Sequence, residues 1–103
     1  MVGNLESIRM FQKAIELNPA SHMSHFYIGL HLYNQSRYKE SLFFAKQALA
    51  LNPNKASYHV LLGNLFQVRG STDLAIKEFK EALRLEPDRN DARINLEILL
   101  GKN

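Results

Sequence analysis

The sequence predicts an all-α chain of about six helices, arranged as antiparallel helical hairpins stacked in an α-solenoid. Three observations carry this. The prolines stand at 19, 53 and 87, two equal intervals of 34 residues, each closing a similar segment: AIELNP, ALALNP and ALRLEP. Self-similarity at a period of 20–50 residues is the signature of a repeat architecture. Within each period the apolar residues recur at helical spacing, as in Ile28 with Leu32 and Leu62 with Phe66, or Leu42, Ala45, Ala48 and Leu49. With 46% hydrophobic residues in 103, the chain has enough apolar surface for one modest core and excludes disorder.

Each period holds two helices. Short turn signals, Asn34-Gln35-Ser36 and Arg69-Gly70-Ser71, part them, and a proline ends the second, because proline has no amide hydrogen and its ring clashes with the preceding turn. The expected spans are 4–17, 21–34, 38–51, 55–69, 72–85 and 90–100. The period also relates Ser7 to Ser41 and Ala75, Phe11 to Phe79, Ile28 to Leu62 and Leu96, and Gly29 to Gly63. A helical glycine costs about 1 kcal/mol against alanine, so Gly29 and Gly63 need a packing reason. Close approach of the following helix, with Ser41 and Ala75 set opposite them, supplies one.

These residues resemble the tetratricopeptide repeat, a 34-residue helix–turn–helix unit. Its pattern is met by Ile28-Gly29, Ser41, Ala48 and Pro53 in one unit and by Leu62-Gly63, Phe66, Ala75, Phe79, Ala82 and Pro87 in the next. Departures are His25 and His59 at the family's tryptophan position, Ala45 at its aromatic, for which Phe44 compensates, and Glu97 at its glycine. The resemblance implies a right-handed superhelix and a single domain over 1–103. It would comprise a half repeat at 1–20 holding a second helix, full repeats at 22–55 and 56–89, and a half repeat at 90–103 holding a first helix.

The resemblance also implies a function: non-enzymatic binding of a protein or peptide ligand in a concave groove lined by first helices. The residues it turns inward are Met23, Phe26, Tyr27, Leu30 and Tyr33 in the first unit. Val60, Leu61, Asn64 and Gln67, with Ser57, follow in the second, and Ile94, Asn95 and Ile98, with Asp91, in the last helix. Most are apolar, which suits a peptide or helix. The family's grip on chaperone C-terminal carboxylates is matched only in part: Asn64 and Asn95 stand at its asparagine positions, but Val60 replaces its lysine. The two amides suit a peptide backbone, since each offers donors and an acceptor.

The half-repeat frame leaves apolar faces uncovered, Ile8, Phe11 and Ile15 at the start and Ile94, Leu96, Ile98 and Leu100 at the end. A self-associating scaffold, a homo-oligomer joined through these ends, is therefore one alternative reading. Another is binding of an acidic partner or RNA through the more basic N-terminal half, where Arg37, Lys39, Lys46 and Lys55 have Glu40 alone beside them. The net charge is +3 and the pI near 9.3. Nucleic acid is nevertheless disfavoured, because Arg69, Lys77, Lys80, Arg84, Arg89 and Arg93 alternate with acidic residues and form no phosphate-tracking stripe.

No cofactor is expected. The chain has no cysteine, and His22 and His25, spaced i, i+3, lack a third metal ligand nearby. No glycine-flanked nucleophile or phosphate loop points to an enzyme. The N-terminus lacks the apolar run of a signal peptide and no stretch is long enough to span a membrane, so the expected location is cytoplasmic.

Overall fold

A computed structural model describes residues 2–101, with side chains over residues 9–101. It contains six helices: α1 (Val2–Leu17), α2 (His22–Asn34), α3 (Tyr38–Leu51), α4 (Ala56–Arg69), α5 (Thr72–Leu85) and α6 (Asn90–Leu99). The chain divides into two compact units, Met1–Pro53 and Asn54–Asn103. The division falls in the loop after α3, close to the end of one repeat period. In the first unit α1 packs on α2 and α2 on α3; in the second α4 packs on α5 and α5 on α6.

The same local chemistry ends corresponding helices. Asn18, Asn52 and Glu86 each donate a last amide bond to an alanine carbonyl four residues back, at 2.8, 2.9 and 2.8 Å. The proline that follows pushes its predecessor out of the helical region, and Asn52 and Glu86 are accordingly extended. First helices stop differently. Gly70 sits at φ 84° and Ser71 N donates to Phe66 O at 2.9 Å; Ser36 sits at φ 61° and Arg37 N donates to Leu32 O at 2.9 Å. Both turns have the left-handed residue and the six-to-one bond of a Schellman cap, but only one spends a glycine on it.

The core of the first unit is Ile28, Leu32, Ala45 and Ala48, with Ser24, Gly29 and Ser41 buried among them. Ser41 Oγ donates to Gly29 O at 2.6 Å, which satisfies a buried hydroxyl and ties the paired helices together. The second unit buries more: α4 alone contributes nine buried residues, among them Tyr58, Leu62, Leu65 and Phe66, and α5 contributes Ala75, Phe79 and Ala82.

At Gly63 an aromatic ring sets the available space. A Cβ there would lie 2.7 Å from the ring of Phe79, one turn beyond Ala75. Phe79 is fully buried, so its ring has little room to swing away. The glycine is needed because an aromatic ring lies across it.

Two predictions follow from these contacts. Gly63→Ala should cost about 1–3 kcal/mol in urea or thermal unfolding, the usual penalty for overpacking. Phe79→Leu should cancel part of that penalty in a double-mutant cycle, and independent, additive effects would place the clash elsewhere. Ser36→Gly should stabilise by about 0.5–1 kcal/mol, since relief of about 1–2 kcal/mol of left-handed strain exceeds the added entropy of the unfolded chain. An unchanged or lower melting temperature would mean that serine is unstrained in that turn.

Candidate functional site

In the first unit, Met23 and Tyr27 lie one turn apart on α2 and are 51% and 37% exposed, with Phe26, Leu30 and Tyr33 half-buried beside them. An aromatic row organises this surface. The ring of Tyr27 stacks on Phe11 of α1 at 5.2 Å and meets Phe26 edge-on at 5.4 Å, while Phe11 also approaches His31 at 5.9 Å. Phe11 and Ile15, expected to be uncovered, are therefore half-buried: they form the face by which α1 packs on α2. The side chain of Ile8 lies outside the described residues. Tyr33 meets Tyr38 edge-on at 5.6 Å; partial burial first, and the charge of Tyr38 second, hold its phenol above the ordinary value.

The second unit differs. Val60 and Leu61, expected to line the ligand face, are buried at 7% and 3%. The reason is composition: α4 is apolar round most of its circumference, and a helix of that kind is covered by packing on several sides. Asn64, Gln67 and Asn95 remain half-buried, and Asn95 Nδ2 donates to Asn64 Oδ1 at 3.2 Å. Among the described residues neither the Nδ2 of Asn64 nor the Oδ1 of Asn95 has a hydrogen-bond partner. Ile94, Ile98 and Leu100 are 56%, 48% and 42% exposed on or just beyond α6, whereas Leu96 is half-buried. Asp91 is taken by the turn, accepting from Arg89 Nε at 3.0 Å, and Arg89 also pairs with Glu86 at 2.9 Å.

The histidines have structural contacts, although the buried Nδ1 of His25 has no hydrogen-bond partner. His22 Nε2 faces Asn52 Nδ2 at 3.5 Å and His25 Nε2 faces Pro19 O at 3.2 Å, so the two rings turn to different partners. The equivalent positions 25 with 44 and 59 with 78 are filled by different chemistry. His25 lies 6.1 Å from the ring of Phe44, whereas His59 Nδ1 donates to Glu78 Oε1 at 2.8 Å. Among the described residues no group of three potential ligands gathers to hold a metal ion, and no helix is long and apolar enough to cross a membrane.

Charge is segregated between the helices of each hairpin. The 13 residues of α2 include no Asp, Glu, Lys or Arg, and in α4 Arg69 alone is charged. The second helices carry the charge, with Lys39, Glu40 and Lys46 on α3 and Asp73, Lys77, Glu78, Lys80, Glu81 and Arg84 on α5. Several of these close on one another: Arg37 with Glu40 and Arg84 with Glu81, both at 2.5 Å. The hydrogen bond from Arg84 holds the exposed Glu81 carboxyl below its usual range. Sequence reasoning named the apolar residues of α2 and passed over its lack of charge. It also passed over Phe43, which is 58% exposed on α3, although Lys77 at the same repeat position marks that site as a surface one.

Comparison with known proteins agrees with this architecture. Two family models, each described as a tetratricopeptide repeat, match residues 22–55 and 56–89. Anaphase-promoting complex subunit 7 of human and of mouse is 35% identical over 63 residues, 61% of this chain. The match spans only 11% of those proteins. Among solved structures, the first tetratricopeptide repeat domain of Spaghetti (RPAP3), bound to an HSP90 peptide, superposes with a TM-score of 0.91 at 17% identity, over 96% of this chain and 79% of that one. YrrB, described as a tetratricopeptide repeat protein with an unusual peptide-binding site, gives 0.83 at 27% identity, over 89% and 47%.

Proposed function

The chain belongs to the tetratricopeptide repeat family, with an all-α, helical-hairpin solenoid fold, and from that premise we propose that it is a non-enzymatic protein-interaction module for an uncharged peptide or helix. The observation that carries the reading is the surface of α2, where Met23 and Tyr27 stand exposed on a helix without a single formal charge. Phe26, Leu30 and Tyr33 extend that face. Large apolar groups that repeat packing leaves partly open, on a face with no ionic partner to offer, suit a ligand recognised by burial. In the second unit the free amide groups of Asn64 and Asn95 hold the ligand backbone, flanked by Ile94 and Ile98, and Gln67 adds a further amide. Val60 and Leu61 support this surface from beneath. The peptide-binding description of YrrB supports a peptide ligand.

A second reading, self-association, is favoured by one observation: Ile94, Ile98 and Leu100 leave α6 with an apolar flank open to solvent. A second copy of the chain is the partner in that reading.

Two experiments test these readings. Synthetic uncharged amphipathic peptides, extended and helical, should bind by fluorescence anisotropy with an affinity that changes little between low and high salt, because screening acts on charges. Met23→Ser with Tyr27→Ser should abolish binding while helicity is retained, and steep salt dependence or indifference to the two changes would refute the α2 face. Sedimentation over a wide concentration range tests self-association. It should show concentration-dependent growth that Ile98→Lys with Leu100→Lys removes; a monomer throughout rejects that reading.

A further inference from the structure

We propose that the outer face of α3 is a second docking site, for an acidic segment of another protein that carries one bulky apolar side chain between its carboxylates. The inference goes beyond the first-helix reading and rests on a different surface.

Phe43 is the anomaly. At 100° per residue it lies diametrically opposite the buried Ser41, Ala45 and Ala48, at the centre of the face that should be wettest, and it is 58% exposed. Its ring is held in place from one side: Phe44 meets it edge-on at 5.3 Å, and Phe44 is itself set against His25 at 6.1 Å. Lys39 and Lys46, at i−4 and i+3, flank it on the same face, and neither has an ion-pair partner among the described residues. Glu40, the sole carboxylate on α3, is occupied by Arg37 through bonds of 2.9 and 2.5 Å. The face therefore shows one fixed aromatic ring between two free ammonium groups.

Repeat packing does not require it. The equivalent positions on α5 hold Asp73, Lys77 and Lys80, an ordinary solvated mixture. Charge complementarity selects the occupant: carboxylates pair with Lys39 and Lys46, and an apolar side chain between them covers Phe43. A nucleic acid would need a longer run of cations than two lysines about 10 Å apart along the helix. A membrane surface would need a broad apolar face, whereas the neighbours of Phe43 here are Lys39, Lys46, Gln47 and Ala50. A face of one helix implies a small, transient contact.

The test titrates the full chain, by fluorescence anisotropy, into a labelled synthetic peptide bearing one leucine between pairs of glutamates. The same peptide with serine for leucine, an oligouridine, and phosphatidylserine-containing vesicles serve as alternatives. The glutamate–leucine peptide should bind and weaken steeply as salt rises. It should lose roughly tenfold in affinity when its leucine becomes serine or when Phe43→Ser removes the ring without adding charge. Lys39→Glu with Lys46→Glu should abolish binding, and tests the face independently should Phe43→Ser perturb folding. Met23→Ser with Tyr27→Ser should leave it unchanged, which separates this site from the first-helix face. No binding of the glutamate–leucine peptide, equal binding of the serine peptide, indifference to Phe43→Ser in a folded protein, or preferential binding of oligouridine or vesicles overturns the proposal.

Discussion

The contact between the two helices of each hairpin governs the rest of the structure. In the second unit Gly63 makes room for the ring of Phe79, and in the first the carbonyl of Gly29 accepts from Ser41. Helices pressed together over a glycine can interlock their remaining side chains over a short distance, which is how Ile28 and Leu62 come to be buried at 1% and 3%. The arrangement also decides what is left over. Once one stripe of a first helix is committed to its partner, the side chains on its other flank are available for recognition.

The division of charge makes that availability usable. A solvent-exposed apolar face threatens solubility, and the second helices offset the threat by carrying nearly all the charge of the hairpins. Some of those charges are paired locally within a turn, as Arg84 is with Glu81 and Glu40 is with Arg37. Exposed pairs of this kind contribute little stability, about 0–1 kcal/mol each, so their role lies in hydration more than in holding the fold. The first helices are thus left nearly free of charge while the second helices present charge to water.

Much of this was legible in the sequence because helix boundaries are written locally. Proline after Asn18, Asn52 and Glu86, and the turn residues at 34–36 and 69–71, place the described helix ends within about two residues of where spacing puts them. Facing was harder. The nearest neighbour of Gly63 is Phe79 and not Ala75, a difference of one helical turn that depends on the crossing of two helices and on no single residue. Phe11 was legible as apolar but not as covered, since its cover, Tyr27, comes from the next helix. Val60 and Leu61 have the same pattern as their counterparts Phe26 and Tyr27, and only packing shows that one pair is buried and the other partly open. The bond between Asn64 and Asn95 joins residues 31 apart, a spacing that the 34-residue period hides.

Equivalent places in the two hairpins have been solved with different chemistry, and this bears on how the chain finds its pairing. Position 45 carries a methyl where 79 carries a ring, and position 44 carries a ring where 78 carries a carboxylate. If α4 were to pair with α3, His59 would lose its carboxylate acceptor to a phenyl ring. If α2 were to pair with α5, the Gly29 carbonyl would face Ala75, which has no hydroxyl to donate. Near-identical repeats invite exchange of one half-hairpin for another, because a slip by a whole period preserves the hydrophobic pattern. Here each first helix fits the second helix that follows it better than the one belonging to its sibling, so the differences between the repeats act as an address.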